Sequence, residues 1–440
     1  MKINFYEKLK ICSFDKRYES LITFQKPEKY KDIENFSKNS KNLITFGSTY
    51  SYSPIFFDHK STCVDLSKFN KILYFNPRKK VITVEAGIKI FELLNFTLKY
   101  KLWLAQLPGY PYISLGGAVA TNIHGKSSGI DGTIKNSIKH LLIFHKKHGW
   151  MNLSKNKNKE IFDLTIGGLG LTGTIVSVTL ELKKFNYSNF LTTRHEVKSI
   201  SETIAALQKY KKKNLLVYSW NDASTFYNFG RGFVYVSKPV NKLKKKILKL
   251  NFKKKPKLLF PLWNRYTSII FNALFFKLQK FKSKKIIENF EKTIFPFAGN
   301  ENYFHLYGKR GFIESQLIIP LDVIDNFFKE LKKYYRIFKP EIILFSFKNM
   351  RGKQKLLRFE GEGICVTLDF TNKNKNLNFL KKIDFLCIKY GVIPSLIKDS
   401  RISKKIFDKC FNESNLFRKK LYKFDKKRIY QSEVSRKLKI

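Results

Sequence analysis

The sequence predicts an α+β protein of two domains, on the evidence of its length, its glycine distribution and a change of texture near residue 185. The chain has 440 residues, which is long for one hydrophobic core and suits two. Its first 185 residues combine short apolar runs with turns, and eleven glycines fall between residues 109 and 173. Further along, glycines become sparse and lysine-rich helical patterns alternate with apolar runs. We therefore expect two domains, the second of mixed helices and strands.

Hydrophobic periodicity predicts the main elements of both halves. Alternating or β-branched apolar runs closed by glycine or polar residues indicate strands, and apolar residues at helical spacing indicate helices. On this basis we expect helices over residues 88–99 and 323–337, and strands over residues 43–46, 81–86, 174–182, 343–347 and 364–370.

The chain is strongly basic, with 85 Lys and Arg against 34 Asp and Glu and a net charge of +51. Such an excess can attract nucleic acid or an anionic membrane. Here the basic residues are spread along the chain rather than gathered in a tail, and the joint abundance of Lys, Phe, Ile and Asn is typical of an AT-rich coding sequence. Because neither a clustered basic stripe nor aromatic platforms are evident, we expect no nucleic-acid partner.

Cysteine usage, histidine spacing and hydropathy indicate a cytoplasmic protein without a metal site. The five cysteines are odd in number and form no CxxC pair, which favours a reducing compartment. His145 and His148 lack an evident third ligand and are expected to be a surface pair. The N-terminus lacks the continuous apolar region of a signal peptide, and no uncharged apolar stretch has the length of a bilayer span. Peripheral contact at the inner membrane face stays open.

Residues 242–276 leave two interpretations open. Residues 242–257 contain nine lysines, and residues 258–276 form a strongly apolar stretch whose only charge is Arg265. One interpretation is a surface loop that meets anionic lipid headgroups and inserts an apolar face. The other is a solvated loop followed by a core helix.

Residues 168–173 spell a literal G-x-G-x-x-G motif. A Rossmann dinucleotide site requires a helix directly after these glycines, because the helix N-terminus holds the pyrophosphate. The residues that follow predict a strand instead, so a nicotinamide cofactor is not supported. A turn leading into a strand can still present backbone N–H groups to a ligand.

Residues 107–126 carry a stronger indication of ligand binding. Their glycines and alanines allow successive backbone N–H groups to approach a diphosphate without a Cβ clash. Ser114, Thr121 and Asn122 add side-chain hydrogen-bonding groups, and His124 and Lys126 supply polar or cationic groups at the end. On residue types alone, a tight structural turn is the alternative.

Four separated segments carry a family resemblance: residues 45–51 (TFGSTYS), 81–87 (VITVEAG), 108–126 (PGYPYISLGGAVATNIHGK) and 167–175 (GGLGLTGTI). In order and spacing they resemble the vanillyl-alcohol-oxidase-type, or PCMH-type, FAD-binding oxidoreductases. Within that family the chain is most similar to the oxidases of decaprenylphosphoryl-ribose, and it is related to the aldonolactone oxidases. Further matches lie in the second half, at residues 346–348, 363–366 and 397–401.

The resemblance implies a domain plan and a reaction. Residues 1–186 would bind FAD, residues 187–392 would form a substrate domain with an antiparallel sheet and helices, and residues 393–440 would return to the FAD-binding domain. The implied reaction oxidises a secondary alcohol of a sugar, at C2′ of a polyprenyl-phosphoryl-ribose-like substrate, by hydride transfer to the flavin. The alternative is a sugar oxidase with a soluble substrate, similar to D-arabinono-1,4-lactone oxidase. A short-chain reductase partner that completes an epimerisation is also implied.

The site residues follow by matching positions to the family. The cofactor-binding candidates are Thr45, Phe46, Gly47, Ser48, Thr49, Tyr50, Ser51, Gly109, Ser114, Leu115, Gly116, Gly117, Thr121, Asn122, Ile123, His124, Gly125, Gly170, Gly173 and Ile175. The catalytic candidates are Lys398, His124 and Tyr50, and the substrate-binding candidates are Lys126, Lys348, Cys365 and Gln316. Lys398 would act either as a cation that stabilises the reduced flavin or as a neutral amine that accepts the substrate hydroxyl proton.

Some positions depart from the family pattern. Many relatives hold FAD covalently through a histidine of the first loop, where this chain has Ser48. We therefore expect non-covalent FAD, as in the decaprenylphosphoryl-ribose oxidases, although their arginine at this position is also absent. Gly363 replaces a pocket asparagine, and Ser395 replaces a tyrosine three residues before Lys398. These differences concern the pocket for the sugar and the lipid.

Acid precipitation tests the expectation of non-covalent FAD. The purified protein should be yellow, and trichloroacetic acid should release all of the flavin into the supernatant, because Ser48 offers no imidazole for attachment. Absorbance at 450 nm in the supernatant and pellet gives the partition. Flavin retained in the washed pellet would show a covalent link.

Overall fold

The computed structural model describes residues 7–241 and 260–440, and it confirms the α+β class. Strands occupy a larger fraction of the described residues up to 186, and helices occupy a larger fraction of those that follow. The strands in chain order are β1 Glu7–Cys12, β2 Glu19–Gln25, β3 Leu43–Phe46, β4 Thr62–Asp65, β5 Ile72–Asn76, β6 Val81–Glu85, β7 Leu102–Trp103, β8 Ile138–His145, β9 Gly149–Ser154, β10 Thr174–Glu181, β11 Lys183–Lys184, β12 Asn189–Val197, β13 Leu216–Asn221, β14 Gly232–Val240, β15 Lys285–Asn289, β16 Phe312–Ile319, β17 Ile342–Met350, β18 Gly363–Thr371 and β19 Ile393–Pro394.

The helices connect and cover these strands. In chain order they are α1 Tyr30–Asn39, α2 Ile90–Thr97, α3 Leu115–Ala120, α4 Ser128–Asp131, α5 Lys159–Thr165, α6 Ile200–Lys209, α7 Arg265–Phe281, α8 Phe290–Ile294, α9 Asn302–His305, α10 Ile324–Phe338, α11 Asn374–Tyr390, α12 Lys404–Cys410, α13 Ser414–Phe424 and α14 Glu433–Leu438. All seven elements expected from periodicity are confirmed within a few residues at each end. The strand β10 directly follows the glycine motif, as expected.

The first half builds two sheets and a short ribbon. One sheet has the order β1-β2-β4-β3. It is mixed, because β1 and β2 are antiparallel whereas β4 runs parallel to both β2 and β3. The other is antiparallel, in the order β5-β6-β10-β8-β9, and β7 pairs with β11. The segments rich in glycine leave these sheets at their ends.

The second half builds two four-stranded antiparallel sheets, in the orders β13-β14-β12-β15 and β17-β18-β16-β19. They meet along β13 and β17, where Ser219 O accepts a hydrogen bond from Ser346 Oγ over 2.6 Å and Ser219 Oγ accepts one from Phe347 N–H over 3.1 Å. The helix α10 packs its buried face on these sheets because its apolar residues recur at helical spacing. Together these elements form a broad antiparallel layer.

The C-terminal residues lie against the first half. Leu43 donates its N–H to Ile429 O over 2.8 Å and accepts a hydrogen bond from Gln431 N–H over 2.9 Å. Arg436 forms an ion pair with the fully buried Asp58 over 2.9 Å. Earlier in this segment, β19 pairs with β16. The first two residues after the expected boundary at 392 therefore belong to a sheet of the second half.

One hydrophobic core runs through both halves. It joins Ile44 and Leu171 of the first half to Phe345 of the second and to Phe417 of the C-terminal segment. A second large cluster fills the sheet of β5, β6, β10, β8 and β9. The halves therefore share buried apolar area instead of meeting across a polar surface.

Two expectations about surface and core are wrong. His145 is completely buried, not on the surface: it lies between Tyr430 and Phe424, with Nε2 3.5 Å from Asp425 Oδ2, while His148 stacks on Phe424. The core-helix interpretation also fails for the described part of residues 258–276, because α7 buries Ser268 and Asn272 and leaves most of its large apolar side chains exposed. Residues 242–259, with the nine lysines, lie outside the described residues. No helix among the residues described has both the length and the apolar character to cross a bilayer.

Gly87 provides a test of how tightly the first half is built. A Cβ at this position would lie 2.0 Å from Leu66 O and 2.7 Å from Phe69 O. Gly87→Ala should lower the free energy of unfolding by about 2–3 kcal/mol, since backbone atoms have to move to admit the methyl group. Gly109→Ala is the matched control, because its Cβ meets nothing within 4 Å. Equal thermal unfolding midpoints for the two variants would contradict the close packing at Gly87.

Candidate active site

The four glycine-rich segments converge at one place. The first and the last are joined by Thr45 Oγ1 and Thr174 Oγ1, which lie 2.8 Å apart. The first also approaches the third so closely that a Cβ on Gly47 would lie 2.2 Å from Ser114 Oγ. Only glycine is compatible with this contact.

The remaining contacts between segments are backbone hydrogen bonds. Ala86 of the second segment accepts from Gly116 N–H over 2.7 Å and donates to Val176 O over 2.8 Å. Leu169 of the last segment donates to Ala120 O over 2.9 Å. Segments whose contacting residues lie up to 129 positions apart thus form one continuous cradle.

The polar atoms in this cradle fit a flavin dinucleotide. Asn122 Nδ2 and His124 Nδ1 are buried and have no hydrogen-bond partner among the described residues. Buried polar atoms are nearly always paired, so both atoms are suited to a bound ligand. Asn122 holds its position through a left-handed backbone with φ of 49°, a conformation that asparagine tolerates. An amide donor and an imidazole nitrogen beside small residues match the needs of a diphosphate and a heterocyclic ring.

Three of the cofactor-binding candidates differ in exposure, hydrogen bonding or backbone conformation. Gly109 is exposed and its Cβ position is open, so no close contact within the chain requires glycine there. The Thr121 hydroxyl donates to Gly117 O over 2.7 Å, which leaves only its lone pairs for a ligand. Thr49 has a φ of 55°, which bends the first segment sharply. The other candidates lie within the converging segments.

Tyr50 lies on the aromatic side of the site. Its ring contacts Phe14 and Tyr110, with a centroid separation of 4.8 Å to Tyr110. Tyr110 donates its hydroxyl to Glu301 Oε1 over 3.2 Å. Burial raises the pKa of Tyr50, so the phenol stays neutral at physiological pH.

His124 is a neutral imidazole with a defined tautomer. Gln316 Nε2 donates to Thr367 Oγ1 over 3.0 Å, which turns Gln316 Oε1 toward His124 Nε2 at 3.3 Å. Since Oε1 only accepts, His124 Nε2 carries the proton and Nδ1 is left as an acceptor. Burial and the nearby charge of Lys348 hold the pKa of His124 well below its usual value.

Lys348 and Cys365 are cross-strand neighbours on β17 and β18. Burial lowers the pKa of the Lys348 ammonium. Burial also raises the pKa of the Cys365 thiol to about 11. Cys365 is therefore a neutral thiol at physiological pH and a weak nucleophile. It contributes shape to the pocket wall, whereas Lys348 contributes a buried amine.

Lys398 is held by two groups that favour a positive charge. Its Nζ lies 3.5 Å from the ring centroid of Tyr52 and 3.4 Å from Glu314 Oε1. An aromatic face and a carboxylate both attract an ammonium group. The preceding residue is fixed by Ser53, which donates its N–H to Ile397 O over 3.0 Å. The first loop thus positions the turn that carries Lys398.

The sequence analysis missed a buried carboxyl pair beneath Lys398. Glu314 and Asp369 face each other across β16 and β18, and both are less than 5% exposed. Tyr303 donates its hydroxyl to Asp369 Oδ2 over 2.8 Å. Burial and the charge of Glu314 raise the pKa of Asp369 well above its usual value, so the pair holds a proton that an isolated carboxyl would release. The signal available in the sequence was one acidic residue in each of two strands that carry no other charge.

Lys126 is engaged by the second half of the chain. Its ammonium donates to Thr293 O and lies 4.2 Å from the ring centroid of Tyr218. Burial lowers the pKa of Lys126 to about 7. In this position Lys126 links the two halves and is less available to a substrate than the sequence suggested.

The comparison with known protein families identifies the class of protein. Residues 22–149 match the sequence model of a family described as an FAD binding domain. That range contains the first three converging segments, with Asn122 and His124 among their residues. The chain is therefore an FAD-dependent oxidoreductase with a PCMH-type FAD-binding domain.

One of the similar proteins matches nearly the whole chain. Decaprenylphosphoryl-beta-D-ribose oxidase of Mycolicibacterium smegmatis is 24% identical over 424 residues, covering 92% of this chain and 90% of that protein. Mitochondrial L-galactono-1,4-lactone dehydrogenase of Arabidopsis thaliana is 29% identical over 203 residues, 45% of this chain and 31% of its own length. L-gulonolactone oxidase of Mus musculus is 28% identical over 33% of this chain and 32% of its own. The similarity to the lactone enzymes therefore spans about a third of those proteins.

The pKa of Lys126 predicts a specific dependence of stability on pH. Between about 7 and the ordinary lysine value of 10.5 the unfolded chain binds more protons than the folded chain. The free energy of unfolding therefore gains a contribution that grows as pH rises from 7 to 10.5 and is lost as pH falls through 7. Lys126→Met should remove this contribution, as measured by urea unfolding across the range. The exposed Lys155→Met is the control, and an unchanged slope in Lys126→Met would contradict the burial of its charge.

Proposed function

We propose that this flavoenzyme oxidises a secondary alcohol of a sugar, at C2′ of a polyprenyl-phosphoryl-ribose-like substrate, with bound FAD as the hydride acceptor. The observation that carries the proposal is the cluster of His124, Gln316, Lys348 and Lys398 between the FAD cradle and a sheet of the second half. The similarity to an enzyme named for decaprenylphosphoryl-ribose, which covers 92% of this chain, supports the substrate class. A lactone substrate has weaker support, because similarity to the lactone enzymes covers less than half of this chain.

The FAD-binding residues follow from the converging segments. We assign the diphosphate to residues 108–126 and the isoalloxazine ring to the end of that segment, near His124 and Tyr50. Ser48 keeps the link non-covalent. Residues 1–186 would then form the FAD-binding domain and residues 187–392 the substrate domain, with the remaining residues returning to the first. A short-chain reductase partner would be required if the keto-sugar is reduced again to give an epimer.

Lys398 acts as a fixed positive charge in this proposal. The Tyr52 ring and the Glu314 carboxylate both attract a positively charged side chain at this place. A cation at this place stabilises negative charge as it develops during the reaction, which an amine without charge would not do. Between the two roles that the sequence left open, the geometry therefore favours the electrostatic one.

His124 orients the substrate in this proposal. Its Nδ1 is an acceptor without a partner among the described residues, and its Nε2 proton is committed to Gln316. A sugar hydroxyl that donates to Nδ1 would be held with its carbon at a fixed place in the site. The hydroxyl proton can then pass to the imidazole even though the pKa of His124 is low, because the hydroxyl becomes strongly acidic as its carbon loses hydride.

Single-turnover reduction tests the role of Lys398. Under anaerobic conditions, Lys398→Ala should keep its FAD but lose about 100-fold or more in the rate of flavin bleaching by substrate, as expected for removal of one preorganised charge. Lys405→Ala, an exposed lysine of α12, is the matched control and should reduce at the normal rate.

The same assay separates the substrate classes. Bleaching by a polyprenyl-phosphoryl-ribose and not by free aldonolactones supports the proposal. Bleaching by lactones alone would replace it with the lactone-oxidase alternative. An unchanged rate in Lys398→Ala would remove this residue from the reaction.

A further inference from the structure

The orientation of α7 is the reverse of an ordinary surface helix. Surface helices turn apolar residues inward and polar residues to solvent. In α7 the large apolar side chains lie at helical spacing on the outer face and are between 47% and 85% exposed; they are Tyr266, Ile270, Phe271, Leu274, Leu278 and Phe281. Such a continuous exposed apolar face is uncommon in a protein surrounded only by water.

Polar contacts on the inner face fix this orientation. Asn272 is 2% exposed and donates Nδ2–H to Oδ1 of the fully buried Asp222 over 3.0 Å. About two turns further on, Gln279 accepts a hydrogen bond from the Arg194 guanidinium. Turning the helix to hide its apolar face would break both contacts and leave a buried carboxylate with fewer partners, which is costly.

Aromatic packing beside these bonds adds to the anchoring. Phe275 contacts Trp220 and Phe276 contacts Phe233, with centroid separations of 4.6 and 5.1 Å. The half-buried rings at 275 and 276 fill the space between α7 and the sheet of β13 and β14. The exposed face is therefore a property of the folded protein.

The surroundings of the apolar face are basic. Residues 260–287 contain no Asp or Glu, and the end of α7 and the following turn carry exposed lysines, namely Lys277, Lys280, Lys282, Lys284 and Lys285. One of them, Lys280, forms an ion pair with Glu196. An apolar stripe bordered by lysines is the pattern of helices that lie in the plane of an anionic bilayer.

We propose that α7 docks the protein onto the surface of an anionic lipid bilayer, with the helix parallel to the membrane plane. Its 17 residues extend about 25 Å, and its outer side chains would enter the headgroup boundary while the lysines meet lipid phosphates. Lipid fits better than a second copy of the chain, because a two-fold contact through this face brings two lysine clusters together. The inference is independent of the reaction catalysed, and it rests on described residues alone.

Vesicle co-sedimentation of the full-length flavoprotein tests the proposal. The wild-type protein should bind vesicles of phosphatidylglycerol and phosphatidylcholine more strongly than vesicles of phosphatidylcholine alone. The double variant Ile270→Glu/Leu274→Glu should reduce the partition coefficient at least tenfold. Ile337→Glu is the matched control, since Ile337 is a 69% exposed aliphatic residue on another helix, α10. The flavin absorbance of each variant verifies that it is folded.

Two results would overturn the proposal. One is equal binding of wild type and double variant to anionic vesicles, which would place membrane contact elsewhere or attribute it to net charge alone. The other is a wild-type dimer, seen by sedimentation velocity, that the double variant disrupts, since a second copy would then cover the face. Loss of binding in the double variant with unchanged flavin reduction by substrate supports the proposal and leaves the proposed function to its own test.

Discussion

Gln316 is the residue on which the geometry of the site depends. Its amide oxygen accepts from His124, its amide nitrogen donates to Thr367, and its carbonyl accepts the N–H of Ser395 over 2.8 Å. One side chain therefore sets the tautomer of the histidine in the FAD-binding half. The same residue anchors the start of the turn that carries Lys398. Because Gln316 lies on a central strand, the site inherits the rigidity of the sheet.

The site concentrates positive charge and compensates it only in part. Lys348 and Lys398 both lower the pKa of His124 through their charge, in addition to the effect of burial. The carboxyl pair of Glu314 and Asp369 contacts Lys398 through Glu314 Oε1, and burial together with the charge of Glu314 raises the pKa of Asp369 well above its usual value. The two lysines bring positive charge to the site, which suits a reaction that transfers a hydride and its electron pair toward the cofactor, and also a substrate with a phosphate group.

The sequence was sufficient to predict those parts of the molecule that follow from local hydrophobic periodicity or from the family motifs. The strand Thr174–Glu181 and the helix Ile324–Phe338 follow from periodicity, and the convergence of glycine-rich segments follows from family resemblance. The predictions that were wrong concern features that depend on contacts between residues far apart in the sequence. His145 was placed at the surface because its burial needs Tyr430 and Phe424, almost 300 residues away. Composition also gave no means to tell which face of α7 would be inside, since that choice rests on the bond of Asn272 to Asp222.

The shared hydrophobic core has a consequence for how the protein loses its structure. Ile44 beside the cofactor cradle and Phe345 in the substrate sheet belong to the same buried cluster. Neither half can unfold without exposing apolar surface of the other. Thermal unfolding should therefore be a single cooperative transition of both halves rather than two separate transitions. If the first half were expressed alone, it would keep its glycine-rich turns but expose a large hydrophobic surface that the second half normally covers. It would therefore be prone to aggregate and would not serve as a separate flavin-binding protein.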